Sequence, residues 1–166
     1  MTNHDFPLTS TSSCPDATMA PSAGLSILVT ENDPCAALLL EQAFVAAGVR
    51  VPIDFVDDAQ DALAYLCGNP PFSNRLAHPL PTLLLLDFDL LGDRAFDVLK
   101  RVRHPRNRIH PLVVMWAGRA NPGKTAQAYA LGVDAFLVKP SNSGDLAETA
   151  EQLTSLWLEK NSAQAA

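Results

Sequence analysis

From about residue 25 onward the chain alternates short apolar runs with stretches whose apolar positions recur every three or four residues. The run at residues 26–30 (SILVT) is short and almost wholly apolar, the pattern of a strand buried on both faces. Asp33 then offers a helix cap with Pro34 at the first helical position, and Gly48 closes the segment. Within it Ala37, Leu40, Phe44 and Ala47 mark one buried face. Residues 51–56 (VPIDFV) predict a second strand. Asp57 and Asp58 open a second helix that runs through Leu63 and Leu66 to Gly68. A polar, Pro-rich stretch at 69–81 follows, long for a loop in a compact domain. Residues 82–87 (TLLLLD) form the most apolar run of all, so this strand is expected at the centre of a sheet. A helix over 93–103 buries Ala95, Leu99 and Val102, and residues 111–117 (PLVVMWA) predict a fourth strand. Pro122 and Gly123 open a short helix that ends at Gly132. A fifth strand lies in DAFLVKP, and a last helix over 143–159 buries Leu146, Ala150, Leu153 and Trp157.

Five apolar strands alternating with five helices predict a parallel sheet covered on both faces, because each crossover is right-handed and must pack back on the sheet. The expected architecture is a doubly wound, flavodoxin-like α/β domain with strand order 2-1-3-4-5. It occupies residues 25–160. Residues 1–24 are rich in Ser, Thr and Pro without apolar period and read as a flexible tail; 161–166 read as a short C-terminal tail.

Composition narrows the function. The formal net charge is -6 among 166 residues, which disfavours a nucleic-acid surface. The four arginines at 101, 103, 106 and 108 crowd the end of the third helix, where the dipole favours cations. No apolar run reaches the ~18 residues of a membrane span, and the N-terminus lacks a secretory signal. Cys14, Cys35 and Cys67 share no metal-type spacing and read as buried or free thiols, in keeping with a cytoplasmic location. The histidines at 4, 78, 104 and 110 share no spacing either and read as surface residues.

The strand order directs attention to the carboxyl ends of the strands, where open parallel sheets bind ligands. Those ends carry Glu31 and Asn32, Asp87, Trp116 and Lys139. Each alone is an ordinary solvated residue at a strand end. Two acids and a base from three strands on one rim are a candidate site.

The stretches ILVTENDP, LLLLDFDLLGD and AYALGVDAFLVKP resemble the receiver domains of two-component response regulators, over nearly all of the chain beyond the tail. The long loop before the third strand is similar to that of single-domain regulators partnering bacterial phytochrome kinases. The resemblance implies a phosphoacceptor signalling protein rather than an enzyme, with no output domain after the last helix. Asp87 would take a phosphoryl group from a histidine kinase, and Lys139 would neutralise phosphoryl oxygens. Mg2+ would be held by Glu31, Asn32, Asp87 and the carbonyl of Asp89. Phe136 falls where the family keeps an aromatic switch, though a core Phe explains it equally well, and the Lys139–Pro140 bond would be cis. The contact face would be the helix at 122–132, the fifth strand and the last helix, used by a homodimer or by a kinase.

Two positions depart from the family pattern. Receivers carry two acids after the first strand, and Asn32 keeps an oxygen donor but loses a full charge, so the cation should be held weakly. Asp33 cannot substitute if it caps the helix. At the end of the fourth strand receivers place a Thr or Ser; this chain has Trp116, and from Pro111 to Lys124 there is no hydroxyl residue of either type. The indole offers one N–H on a rigid ring, either as a lid or turned into an apolar surface. Together Asn32 and Trp116 predict a slow acceptor with muted switching. Two alternatives remain. One is a degenerate receiver that binds protein without phosphate. The other is a phosphatase of the haloacid-dehalogenase type, with Asp87 as nucleophile and Asp89 as general acid/base.

Overall fold

The computed structural model describes residues 24–165, so Cys14, His4 and the expected tail up to residue 23 lie outside the described residues. The chain order is β1 (Ile27–Thr30), α1 (Pro34–Ala46), β2 (Ile53–Val56), α2 (Ala59–Cys67), β3 (Leu83–Asp87), α3 (Phe88–Leu91), α4 (Arg94–Val102), β4 (Leu112–Ala117), α5 (Pro122–Ala130), β5 (Ala135–Val138) and α6 (Ser143–Ala165). All pairings are parallel and the strand order is 2-1-3-4-5, as the sequence predicts.

The pleat explains why the central strands are apolar at every position. Successive side chains of β3 point to opposite faces, and both faces are covered. Leu84 and Leu86, with Val113 and Met115 of β4, pack against α2, α4 and α5. Leu83 and Leu85, with Val114 and Trp116, pack against α1 and α6. All five residues of β3 are buried, and the last of them is Asp87.

The helix starts follow the expected chemistry. Asp33 caps α1 through its carboxylate on the Cys35 amide, with Pro34 beside it. Asp58 caps α2 on the Asp61 amide, and Gly68 ends it at φ 70°, a left-handed conformation that favours glycine. One helix was not expected: α3 is a single turn whose cap is Asp87 itself. The last helix runs past Glu159 to Ala165, because residues 160–165 contain no Gly or Pro to stop it.

The stretch between α2 and β3 is irregular but tied down. Arg75 donates to the carbonyls of Tyr65, Leu66 and His78. Phe72 and His78 both pack on the Tyr65 ring, and the Tyr65 hydroxyl bonds the Asp54 carboxylate. His78 is therefore part of a packed aromatic cluster, not the plain surface histidine that its loop position suggested. Burial and the neighbouring Asp54 charge push the Tyr65 phenol well above its ordinary value, and burial lowers the Arg75 guanidinium.

Three further expectations are corrected. Among the described residues the cis bond is Pro70–Pro71, not Lys139–Pro140; for X–Pro the two isomers differ by only about 0.5–1 kcal/mol, so residue type does not decide. Cys35 is a free, exposed thiol, but Cys67 is disulfide-bonded. Arg103 is no mere solvated helix end: it donates to the carbonyls of Gly132 and Pro111 and pairs with Asp134 at 2.6 Å.

Candidate functional site

Asp87 stands at the carboxyl end of β3, 3% exposed, and every polar atom it carries into the site is engaged. Its N–H donates to the Thr30 hydroxyl on the neighbouring strand at 2.8 Å. Its Oδ1 accepts from the amides of Asp89 and Leu90, at 2.9 and 3.2 Å, which is what winds α3. Its Oδ2 is ion-paired with Lys139 Nζ. A buried carboxylate is tolerable only when paired and hydrogen-bonded in this way. Lys139 reaches it because its own amide donates to the Ala117 carbonyl at 2.7 Å, which fixes the chain just beyond β5 against the end of β4.

Trp116 lies directly across from Asp87 in the β3–β4 register. The ring is not a lid: it is turned into an apolar surface, the second of the two expected arrangements. It is 4% exposed and packs into the layer between the sheet and α1 with α6. Lys139 Nζ sits over its face, 5.5 Å from the centroid. The indole N–H is buried and has no hydrogen-bond partner among the described residues.

The remaining acids take separate duties. Glu31 accepts from the Asp33 amide at 2.9 Å, while the Asp33 carboxylate is spent on its cap, as the sequence required. Asp89 is exposed, and its carboxylate accepts from the Gly118 amide at 2.6 Å, tying α3 to the end of β4. Asn32 is exposed. Among the described residues no three His, Cys, Asp or Glu side chains come together as a metal-holding group. Glu31, Trp116 and Lys139 line a groove of about 290 Å³ between α1 and the start of α6, together with Leu39, Pro140 and Leu146.

Phe136 is half-buried on the opposite face. It stacks 6.0 Å from Phe88, the residue next to Asp87, and Phe88 in turn lies 5.5 Å from Phe96. Sequence reasoning placed Phe136 but missed Phe88 as the ring between it and the acid. It also missed Thr30, whose lone hydroxyl at the end of an apolar run was the available signal.

No protein-family model matches the chain. It is 30% identical over 133 residues to the probable methanogenesis regulatory protein FilR2 of Methanothrix harundinacea, covering 80% of this chain and 83% of that protein. It is 26% identical over 134 residues to the response regulator Rcp1 of Synechocystis, covering 80% and 88%. A crystal structure of Rcp1 in its Mn2+-bound form superposes with a TM-score of 0.69 at 26% identity, over 82% of this chain and 96% of that one. A response regulator in red-light signalling of R. palustris gives a TM-score of 0.70 at 28% identity, over 78% and 90%.

Proposed function

This chain belongs to the receiver family of two-component response regulators, and on that premise we propose that it accepts a phosphoryl group on Asp87 from a histidine kinase of the bacteriophytochrome class, a reading supported by its likeness to the bacteriophytochrome response regulators RtBRR and AtBRR at 27% and 28% identity. The observation that carries the reading is the ion pair of buried Asp87 with Lys139 at the carboxyl ends of the strands. A carboxylate oxygen of Asp87 attacks the phosphorus of a phosphohistidine, the phosphorus–nitrogen bond breaks, and the imidazole leaves with the electron pair. Positioning and charge neutralisation are nearly all that such a transfer asks of the protein. Lys139 moves its ammonium from the carboxylate to a phosphoryl oxygen, and the Asp89 and Leu90 amides steady the attacking group.

Glu31, Asn32, Asp87 and the Asp89 carbonyl are an all-oxygen set, the chemistry that suits a hard divalent ion such as Mg2+. When bound, that ion supplies positive charge to the phosphoryl oxygens. With Asn32 in place of an acid the set is one charge short, which supports weak binding.

The missing hydroxyl at Trp116 supports muted switching after transfer. It also favours a second reading, a receiver that binds its partner without phosphate. Asp89 accepts from the Gly118 amide, a bond that favours its ionised form and counts against the general-acid role of the phosphatase alternative. The face of α5, β5 and α6 exposes Tyr129 and Val138 by half their surface, which supports its use by a kinase or a second copy. Among the described residues no helix is long and apolar enough to cross a membrane. The test is phosphotransfer from an autophosphorylated bacteriophytochrome kinase: label on wild type and none on Asp87→Asn supports the proposal. Kinase binding with no label transferred would replace it with the second reading.

A further inference from the structure

We infer that Trp116 is a positioning residue for Lys139, its ring face holding the ammonium beside Asp87. The inference rests on the reading of Asp87 as phosphoacceptor, and it reverses half of the expectation drawn from sequence. Trp116 removes a relay hydroxyl, but it supports the lysine.

Three observations carry it. The ring cannot wander, because it is 4% exposed and packed among Leu40, Val114 and Ala150. The ammonium needs holding, because the Lys139 side chain is long, flexible and still 27% exposed. Among the described residues two groups meet that ammonium, the Asp87 carboxylate and the Trp116 face. A cation over an aromatic face is attracted without a directional hydrogen bond. The ring can therefore keep its hold while the ammonium shifts from carboxylate to phosphoryl oxygen. A hydroxyl or amide acceptor would instead tie one of the three ammonium N–H donors to a fixed direction.

The indole N–H separates this role from the obvious rival. If Trp116 replaced the missing hydroxyl as a hydrogen-bond donor, its N–H would matter most. That N–H is buried with no partner among the described residues. The ring face is the working part, so phenylalanine should retain much of the effect and an aliphatic residue none.

The test uses the whole chain. In unphosphorylated protein the ε-methylene protons of Lys139, assigned by their loss in Lys139→Arg, are followed by NMR. Ring current should displace them upfield in wild type and Trp116→Phe, and the displacement should vanish in Trp116→Leu. Phosphorylation by acetyl phosphate at saturating Mg2+ is then measured on the same proteins. Trp116→Leu should be slower by about 2- to 30-fold in the maximal rate, with the donor KM little changed, and Trp116→Phe should lie between. Thermal unfolding checks that each variant is folded, and Trp116→Met replaces the leucine variant if that one is not.

No upfield displacement in wild type overturns the inference. So does a displacement lost in the leucine variant with no change in rate. A phenylalanine variant as slow as leucine, with its displacement intact, assigns the work to the N–H and overturns it too. If wild type shows the displacement but Asp87 takes no phosphate, the phosphoacceptor reading falls and the positioning role falls with it, leaving only the contact.

Discussion

The two tryptophans offer a matched pair for testing the unpaired indole N–H. Trp116 and Trp157 are 4% and 1% exposed, and both pack in the layer between the sheet and α1 with α6. They differ in one respect. Trp157 Nε1 donates to the Thr82 hydroxyl at 3.1 Å, whereas Trp116 Nε1 has no partner among the described residues. Trp→Phe at either site removes similar apolar surface and leaves a similar void, so that cost is largely common to both. At Trp157 the substitution also removes a hydrogen bond, worth about 0.5–1.5 kcal/mol. At Trp116 it removes a buried donor that nothing satisfies, which returns about 1–3 kcal/mol. Trp157→Phe should therefore be the more destabilising by roughly 2–4 kcal/mol. Trp116→Phe should be near neutral despite the lost volume. Urea unfolding followed by far-UV circular dichroism measures both without relying on the altered fluorophores. Equal costs at the two sites would refute the reasoning, since the Trp116 N–H would then have a partner in solution.

Other outcomes follow from the same contacts. Asn32→Asp should tighten Mg2+ and Mn2+ binding severalfold, read by calorimetric titration, because it returns a full charge to a hard-cation set. Asp134→Ala should cost about 2–4 kcal/mol in urea unfolding, since the Asp134 carboxylate serves the Val113 amide, Arg103 and Lys160 at once. Tyr65→Phe should leave the 295 nm absorbance titration unchanged through about pH 11, because the phenol it removes does not ionise there. The raised phenol also fixes a sign. The folded state holds that proton more tightly, so its stabilisation is complete below about pH 10 and is lost as pH rises beyond. Stability of wild type should fall across that range, and Tyr65→Phe should flatten the fall.

Periodic features were legible in the sequence, and relational ones were not. The strands and most helix starts were legible because burial on both faces makes β3 uniformly apolar and because the caps Asp33 and Asp58 and the first-turn Pro122 announce helices. Asp87 and Lys139 were legible as residues at strand ends, which the fold brings onto one rim. The turn α3 was not, since it exists only because the Asp87 carboxylate folds back on the next amides. Nor was the orientation of Trp116. Alternation along β4 sends its ring to the same side as Leu112 and Val114, but only the packed structure puts that ring under the Lys139 ammonium. The α2–β3 stretch misled for a similar reason. Its composition is that of a loose loop, while Arg75, Phe72 and His78 act together with Tyr65 to strap it down.

The central claim is that Asp87 is the group that takes phosphate, helped by Lys139. Intact-protein mass spectrometry of wild type, Asp87→Asn and Lys139→Ala after incubation with acetyl phosphate and Mg2+ tests it most directly. Wild type should gain the mass of one acid-labile phosphoryl group, Lys139→Ala should gain it far more slowly, and Asp87→Asn should gain none. Acid-labile phosphate on Asp87→Asn at the wild-type level would contradict that claim.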